Sequence, residues 1–307
     1  MRGDGVAVGA STSMTHVRRS RRIRAAHWVL ALVLFAHGLG SAQQTAEPAK
    51  LLTVWAGMLP IILAAPHGGR EPIPGVLPRR GNGVPQFTTE RDSNTAELAE
   101  AIGSAIRRRL GARPYLVIAR FERKYVDVNR PQGAAYESPE AKPYYDAYHR
   151  ALGDACELVR GRWTAGLLLD IHGQGSVPDT IFRGTDNGRS VAALQRAFGH
   201  EALTGPKSIM GQLALKGYKI IPNGGDGRER RYTGGYTTRI YGSHRGTGID
   251  AIQLEFGRDL RARRNLDRTA RDLADAVAVF AKEYVRFRAD GASKTEVWEA
   301  GTRRGPD

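Results

Sequence analysis

The chain has 307 residues, 41% hydrophobic and 25% charged, with 46 Lys and Arg against 31 Asp and Glu for a formal net charge of +15. This composition supports a sizeable buried core and excludes disorder along the whole chain. The charge favours anionic partners, but the arginines are spread along the sequence without interleaved aromatics or a zinc-finger spacing, so nucleic acid is not an expected partner.

The N-terminus reads as an export signal. A basic run, Arg18, Arg19, Arg21, Arg22 and Arg24, precedes an apolar stretch over 25–39 that is too short to span a bilayer comfortably. Gly40, Ser41 and Ala42 supply a small-residue site, so residues 1–42 are expected to be a signal peptide removed near Ala42, with the mature protein periplasmic or extracellular and not stably inserted in a membrane. The alternative, an uncleaved anchor, is disfavoured by His27 and His37 within the apolar run. Residues 1–42 carry six arginines and Asp4, which leaves 40 bases against 30 acids. Residues 43–290 are expected to form a single domain and 291–307 a flexible tail. Cys156 is the one cysteine, so no intramolecular disulfide forms even in an oxidising compartment.

Short apolar runs alternating with longer amphipathic segments predict an α/β class, a sheet covered by helices on both faces. The first predicted strand, 59–65, runs into Pro66-His67-Gly68-Gly69, where the glycines let the backbone approach whatever His67 binds. A lone histidine there also serves as an ordinary strand cap. A glycine-rich loop over 68–83 follows. The first helix, 93–110, has Asp92 and Ser93 as N-cap candidates and Gly111 as its stop. Placed at that helix start, the Asp92 carboxylate is a candidate oxygen ligand, with Glu71 as the competing choice and simple capping as the other use of Asp92.

The strand 115–119 leads into a segment ending Asp127-Val128-Asn129-Arg130-Pro131. A guanidinium fork binds a carboxylate through two parallel hydrogen bonds, so Arg130 with Asn129 makes an anion clamp; the alternative is a solvated basic loop. A helix over 141–160 holds Cys156, expected as a small core residue. The strand 166–171 then delivers His172 into Gly173-Gln174-Gly175, repeating the arrangement at His67. If both strands end on one sheet edge the two imidazoles meet and begin a zinc site, with Asp170 placed to hold the His172 ring.

A strand at 180–183, a helix at 190–203 and a strand at 218–221 precede a second glycine-rich loop over 223–235. In the strand 251–256, Glu255 is an acid on a buried element, which is costly without a task or a partner. Proton transfer at a metal centre is one such task and a buried ion pair with an arginine the other. A helix over 265–288 closes the pattern.

The succession Pro66-His67-Gly68, Asp92 with Glu97-Leu98, Arg123 with Asp127, Asn129 and Arg130, Asp170 with His172, and Gln253 with Glu255 resembles the N-formylglutamate amidohydrolase family. The segments 183–188 and 234–242 also look like those of the family. The resemblance implies a fold related to the zinc carboxypeptidases, a three-layer arrangement in which a mixed, mostly parallel sheet lies between helices with one zinc ion at a sheet edge. It implies further that His67, Asp92 and His172 hold the zinc, that Glu255 is general base and acid, and that Asn129 and Arg130 recognise a substrate carboxylate. Arg183 or Arg239 is expected at the oxyanion, and Arg123 and Tyr236, within the same motifs, on the substrate. The expected partner is a small acidic or peptide-like substrate.

Overall fold

Seven strands make one sheet in the computed structural model, which describes residues 48–223 and 227–285. The expected signal peptide and C-terminal tail lie outside the described residues. The strands are β1 Leu52–Trp55, β2 Ile61–Ala65, β3 Tyr115–Ala119, β4 Gly166–Gln174, β5 Thr180–Gly184, β6 Lys219–Ile221 and β7 Ile249–Gly257. Their order across the sheet is β1-β3-β2-β4-β7-β5-β6. The four central strands, β3, β2, β4 and β7, run parallel to one another. β1 pairs antiparallel with β3, and β5 antiparallel with β7 but parallel with β6. Runs such as IILAA and YLVIA are buried at every position, because a strand covered on both faces has no side for a polar residue.

The period-two alternation of each strand divides the core into two layers. On one face Ile61, Leu63, Leu167, Leu169, Ile252 and Leu254 pack with the helices α1 Thr95–Leu110 and α5 Arg263–Tyr284. On the other face Ile62, Ala64, Val117, Leu168 and Ala251 pack with α2 Lys142–Arg162. Two shorter helices, α3 Ile209–Leu215 and α4 Tyr236–Tyr241, lie in the connections before β6 and β7. This is the expected class, a mixed and mostly parallel sheet between helices. Cys156 is buried in α2, and burial pushes its thiol up to about 12, so it is a core residue and not a nucleophile.

Several expectations are corrected. The segment 190–203 is not one helix: after a short 3₁₀ turn it breaks at Gly199, φ 73°, between the helices Ala192–Phe198 and Glu201–Thr204. β1 was not expected from the sequence, because an edge strand that is only partly buried lacks the continuous apolar run of its neighbours. Asp92 is not the cap of α1; Asn94 occupies that position in the left-handed region, φ 65°, and Asp92 contributes its carbonyl to Thr95. His172 stands within β4 and not in a turn after it. Among the described residues no helix is long and apolar enough to cross a membrane.

Candidate metal centre

The parallel strands β2 and β4 are neighbours, so His67, just past the end of β2, and His172, near the end of β4, come to the same end of the sheet. Asp92 is brought to the same end by the segment entering α1, where its N–H donates to the His67 carbonyl at 3.1 Å. The approach requires glycine after His67, since a Cβ on Gly68 would stand 2.3 Å from the Ala96 nitrogen. One ligand atom from each of His67, Asp92 and His172 lies within 4.8 Å of the others, and all three side chains are buried. Asp92 Oδ2 is 3.1 Å from His172 Nδ1 and 3.5 Å from His67 Nδ1.

The far side of each ring is held by a second carboxylate. His67 Nε2 is 2.7 Å from Asp127 Oδ1, and His172 Nε2 is 3.0 Å from Asp170 Oδ2. For His67 this favours the proton at Nε2 and turns the Nδ1 lone pair to the shared point, while His172 Nε2 lies between Asp170 and Asn129 Nδ2, the latter at 3.2 Å. His67 Nδ1 is buried without any hydrogen-bond partner, an arrangement that costs free energy unless something else occupies that direction. Two nitrogen donors and one carboxylate oxygen, with carboxylates behind both rings, fit a zinc ion. Glu71, the competing ligand, is exposed and bonded through its backbone to Arg120, away from the group.

The electrostatics agree with a cation site. Burial acts against the charge on Asp92, yet the hydrogen bond to His172 and the proximity of the His67 ring hold its carboxyl well below the usual range. Burial likewise opposes a charged His172, but Asp170 and Asp92 raise its pKa well above that of a free imidazole. The same negative surroundings that would hold a proton there would hold a divalent ion. Asp127 is lowered as well, with burial outweighed by His67, Arg123 and Arg130.

Glu255 enters through strand register. On the paired strands β4 and β7, Asp170 stands opposite Gln253 and His172 opposite Glu255, so four polar side chains form two rungs on one face of the sheet. Gln253 Nε2 donates to Glu255 Oε1 at 2.9 Å and fixes the carboxylate. Burial, reinforced by Asp92 and Asp170 and opposed by His172 and Arg123, pushes Glu255 up to about 7. A carboxyl poised there can take and return a proton near neutrality.

These groups floor a cleft of about 400 Å³ that also contains Arg123, Asn129, Arg130, Arg231 and Arg239. Arg123 directs Nε and Nη2 to Asp127 Oδ2 at 2.8 Å, so it braces the His67 support as well as facing the cleft. Asn129 Oδ1 accepts from the Thr237 N–H at 2.8 Å, a packing that leaves no room for a side chain at Gly235, whose Cβ would lie 2.1 Å from Asn129 Nδ2. Arg130 and Arg239 reach the cleft, and Arg239 is exposed.

Two expected site residues are not brought there. The Arg183 side chain is buried and bonded to Glu229 at 2.9 Å and to the Gly227 carbonyl at 3.2 Å, because the register of β5 on β7 sets it opposite Leu254, on the face away from Glu255. Tyr236 does not line the cleft either; at the start of α4 it packs edge-on against His149, with ring centroids 5.8 Å apart.

Four residues were given no role from sequence: Asp127, Gln253, Arg231 and Arg261. Gln253 sits two residues before Glu255 on the same face of β7, and Asp127 two residues before Asn129 in a turn that its carboxylate closes by accepting from the Asn129 N–H. Arg261 is buried and donates to the carbonyls of Ser93, Gln174 and Phe256, tying the ends of β4 and β7 to the segment that carries Asp92. Nothing in the local sequence distinguishes it from other arginines.

No protein-family model and no curated protein matches the chain. Solved structures do resemble it. The crystal structure of N-formylglutamate amidohydrolase from Ralstonia eutropha JMP134 is similar with a TM-score of 0.52 at 19% identity, over 76% of this chain and 98% of that one. A gene product from Agrobacterium tumefaciens is similar with a TM-score of 0.48 at 17% identity, over 75% and 94%. A bacteriophage poly-gamma-glutamate hydrolase follows with 0.38 at 14% identity, over 74% and 87%. The first likeness is one of fold, and it is the fold that the sequence motifs implied.

Proposed function

We propose that the protein is an exported, zinc-dependent amidohydrolase that cleaves an amide bond of an N-acyl amino acid or glutamyl-type substrate. The observation that carries this reading is the convergence of His67, Asp92 and His172 within 4.8 Å, beside Glu255, on the floor of a cleft lined by arginines. The shared fold with an N-formylglutamate amidohydrolase supports the same reaction class. The basic run and apolar stretch before Ala42 support export.

His67 and His172, each through Nδ1, and Asp92 would hold the ion. Zinc in such a three-ligand site supplies Lewis acidity, polarising a carbonyl oxygen and bringing the pKa of water toward about 7. Glu255 accepts a proton from the attacking water and returns it to the leaving nitrogen, while Gln253 keeps Oε1 oriented and leaves Oε2 for that proton. Arg239, which lines the cleft and is exposed, would stabilise negative charge on the substrate oxygen. Arg130, with Asn129 behind it, is placed for the carboxylate that flanks the amide.

The test is elemental analysis of the mature protein, together with hydrolysis assays on N-formylglutamate, γ-glutamyl peptides and muropeptides with and without chelator. One zinc per chain and chelator-sensitive release of an amine from at least one substrate are expected. Absence of stoichiometric metal, or turnover indifferent to chelator, overturns the reading.

A further inference from the structure

Beside the metal cleft lies a second groove of about 340 Å³. The two adjoin at Arg231 and Tyr232, which line both. Arg183, Arg228 and Arg230 add basic side chains to the second groove, and Glu229 is the one acid among the described residues that line it.

The charge of Glu229 is turned inward. It is 5% exposed, and its carboxylate accepts from Arg183 Nε at 2.9 Å, the Thr185 N–H at 2.7 Å, Thr185 Oγ1 at 2.6 Å and the Asn187 N–H at 2.9 Å. Those bonds pin the segment 227–231 by its middle residue. Arg228 and Arg230 on either side, and Arg231 after them, remain exposed. Arg183 Nη1 is buried beside this groove with no hydrogen-bond partner, which adds an unsatisfied donor to the same positive region. The lining also has apolar members: Phe182 packs edge-on against Tyr232 with centroids 4.9 Å apart, and Ile221 is 37% exposed.

A substrate of one amino acid is accommodated by the metal cleft alone and has no use for a row of guanidinium groups beyond it. A chain that carries a carboxylate on every unit, joined by methylene groups, matches a groove lined by both arginines and apolar side chains. We infer that this groove is a binding subsite for the continuation of an acidic oligomer, such that the scissile amide lies at the metal centre and further carboxylates lie against Arg228, Arg230 and Arg231. The inference rests on the amidohydrolase reading above for the position of the scissile bond, but the groove itself is tested without turnover.

Binding of fluorescently labelled oligoglutamates of two, four and six units, α-linked in one arm and γ-linked in the other, is measured to the zinc-loaded Glu255→Gln protein at low and high salt. Affinity is expected to rise about tenfold from two to six units in at least one arm, the scale that two or three screened guanidinium–carboxylate contacts supply, and the gain is expected to shrink with salt. In the active protein, the ratio of kcat/KM for the longest to the shortest oligomer is expected to fall about tenfold in the double variant Arg228→Ala/Arg230→Ala, with circular dichroism and thermal unfolding reporting its fold. Length-independent affinity in both arms overturns the subsite, as does a double variant that keeps the wild-type ratio. If no oligomer is cleaved yet the length dependence of binding holds, the subsite stands and the reaction assigned to the metal centre fails.

Discussion

His67 Nε2 lies 2.7 Å from Asp127 Oδ1, a contact between residues 60 positions apart that turns the other ring nitrogen toward Asp92 and His172. Asp127 is itself gripped by Arg123 and by the Asn129 N–H at 3.0 Å. Replacing Asp127 with Ala frees the ring without touching a ligand. Zinc affinity is expected to fall about 10- to 100-fold, the usual effect of losing such a support, as measured by competition with a chelator of known affinity. An unchanged affinity would show that the ring is oriented by something else.

Glu255→Gln retains shape and hydrogen-bonding capacity but cannot take up a proton. The variant is expected to keep stoichiometric zinc while kcat falls by roughly 10²- to 10⁴-fold. Near-normal turnover would remove Glu255 from the reaction.

Activity is also expected to depend on pH through the same residue. Burial, with Asp92 and Asp170, pushes Glu255 up to about 7, and a general base acts only when ionised. The kcat/KM profile should therefore fall on the acid side, with its limb at or below about pH 7 because a bound cation favours the carboxylate. A profile flat across about pH 5 to 8 contradicts this assignment.

The two arginines expected at the oxyanion should separate cleanly. Arg239 is exposed in the cleft, so Arg239→Ala is expected to lower kcat by about 10²-fold with little change in thermal stability. Arg183→Ala instead leaves the Glu229 carboxylate buried without its cation, at a cost of about 3 to 5 kcal/mol in urea unfolding. Equal effects of both variants on kcat would restore Arg183 to the chemistry.

Asp250 gives a stability prediction independent of the metal. Burial raises its carboxyl from 3.8 to about 6, although Ser243 Oγ and the Leu194 N–H both donate to it. The folded state binds more protons than the unfolded state, so this contribution is complete below about pH 4 and lost as pH rises through about 6. Asp250→Asn keeps the acceptor and has no charge to bury. Its stability relative to wild type should therefore increase by about 2 to 3 kcal/mol between about pH 4 and pH 8, as read from urea midpoints. A pH-independent difference contradicts the burial argument.

Much of the site was legible because its residues sit at the ends of unusually apolar strands. His67 follows a fully buried apolar run, and His172 and Glu255 interrupt apolar runs within β4 and β7, so each carries a signal in one dimension. Asp92 was found as a ligand candidate but for the wrong structural reason, since Asn94 takes the capping position. The position of Arg183 is not legible in one dimension because the face a strand residue occupies depends on its register, and Arg183 falls opposite Leu254 while Phe182 falls opposite Glu255. Arg261 was invisible because its role is to join three segments distant in sequence. The break at Gly199 shows the same limit in a helix: the periodicity continues across a residue whose backbone does not.

The pairing of His172 with Glu255 across β4 and β7 has a thermal consequence. A ladder between two strands buried on both faces has no independent way to loosen; it opens only when the whole cooperative unit does. Warming the protein should accordingly not separate His172 from Glu255 while the sheet is intact, and the proposed activity should not outlast the far-ultraviolet signal of the sheet.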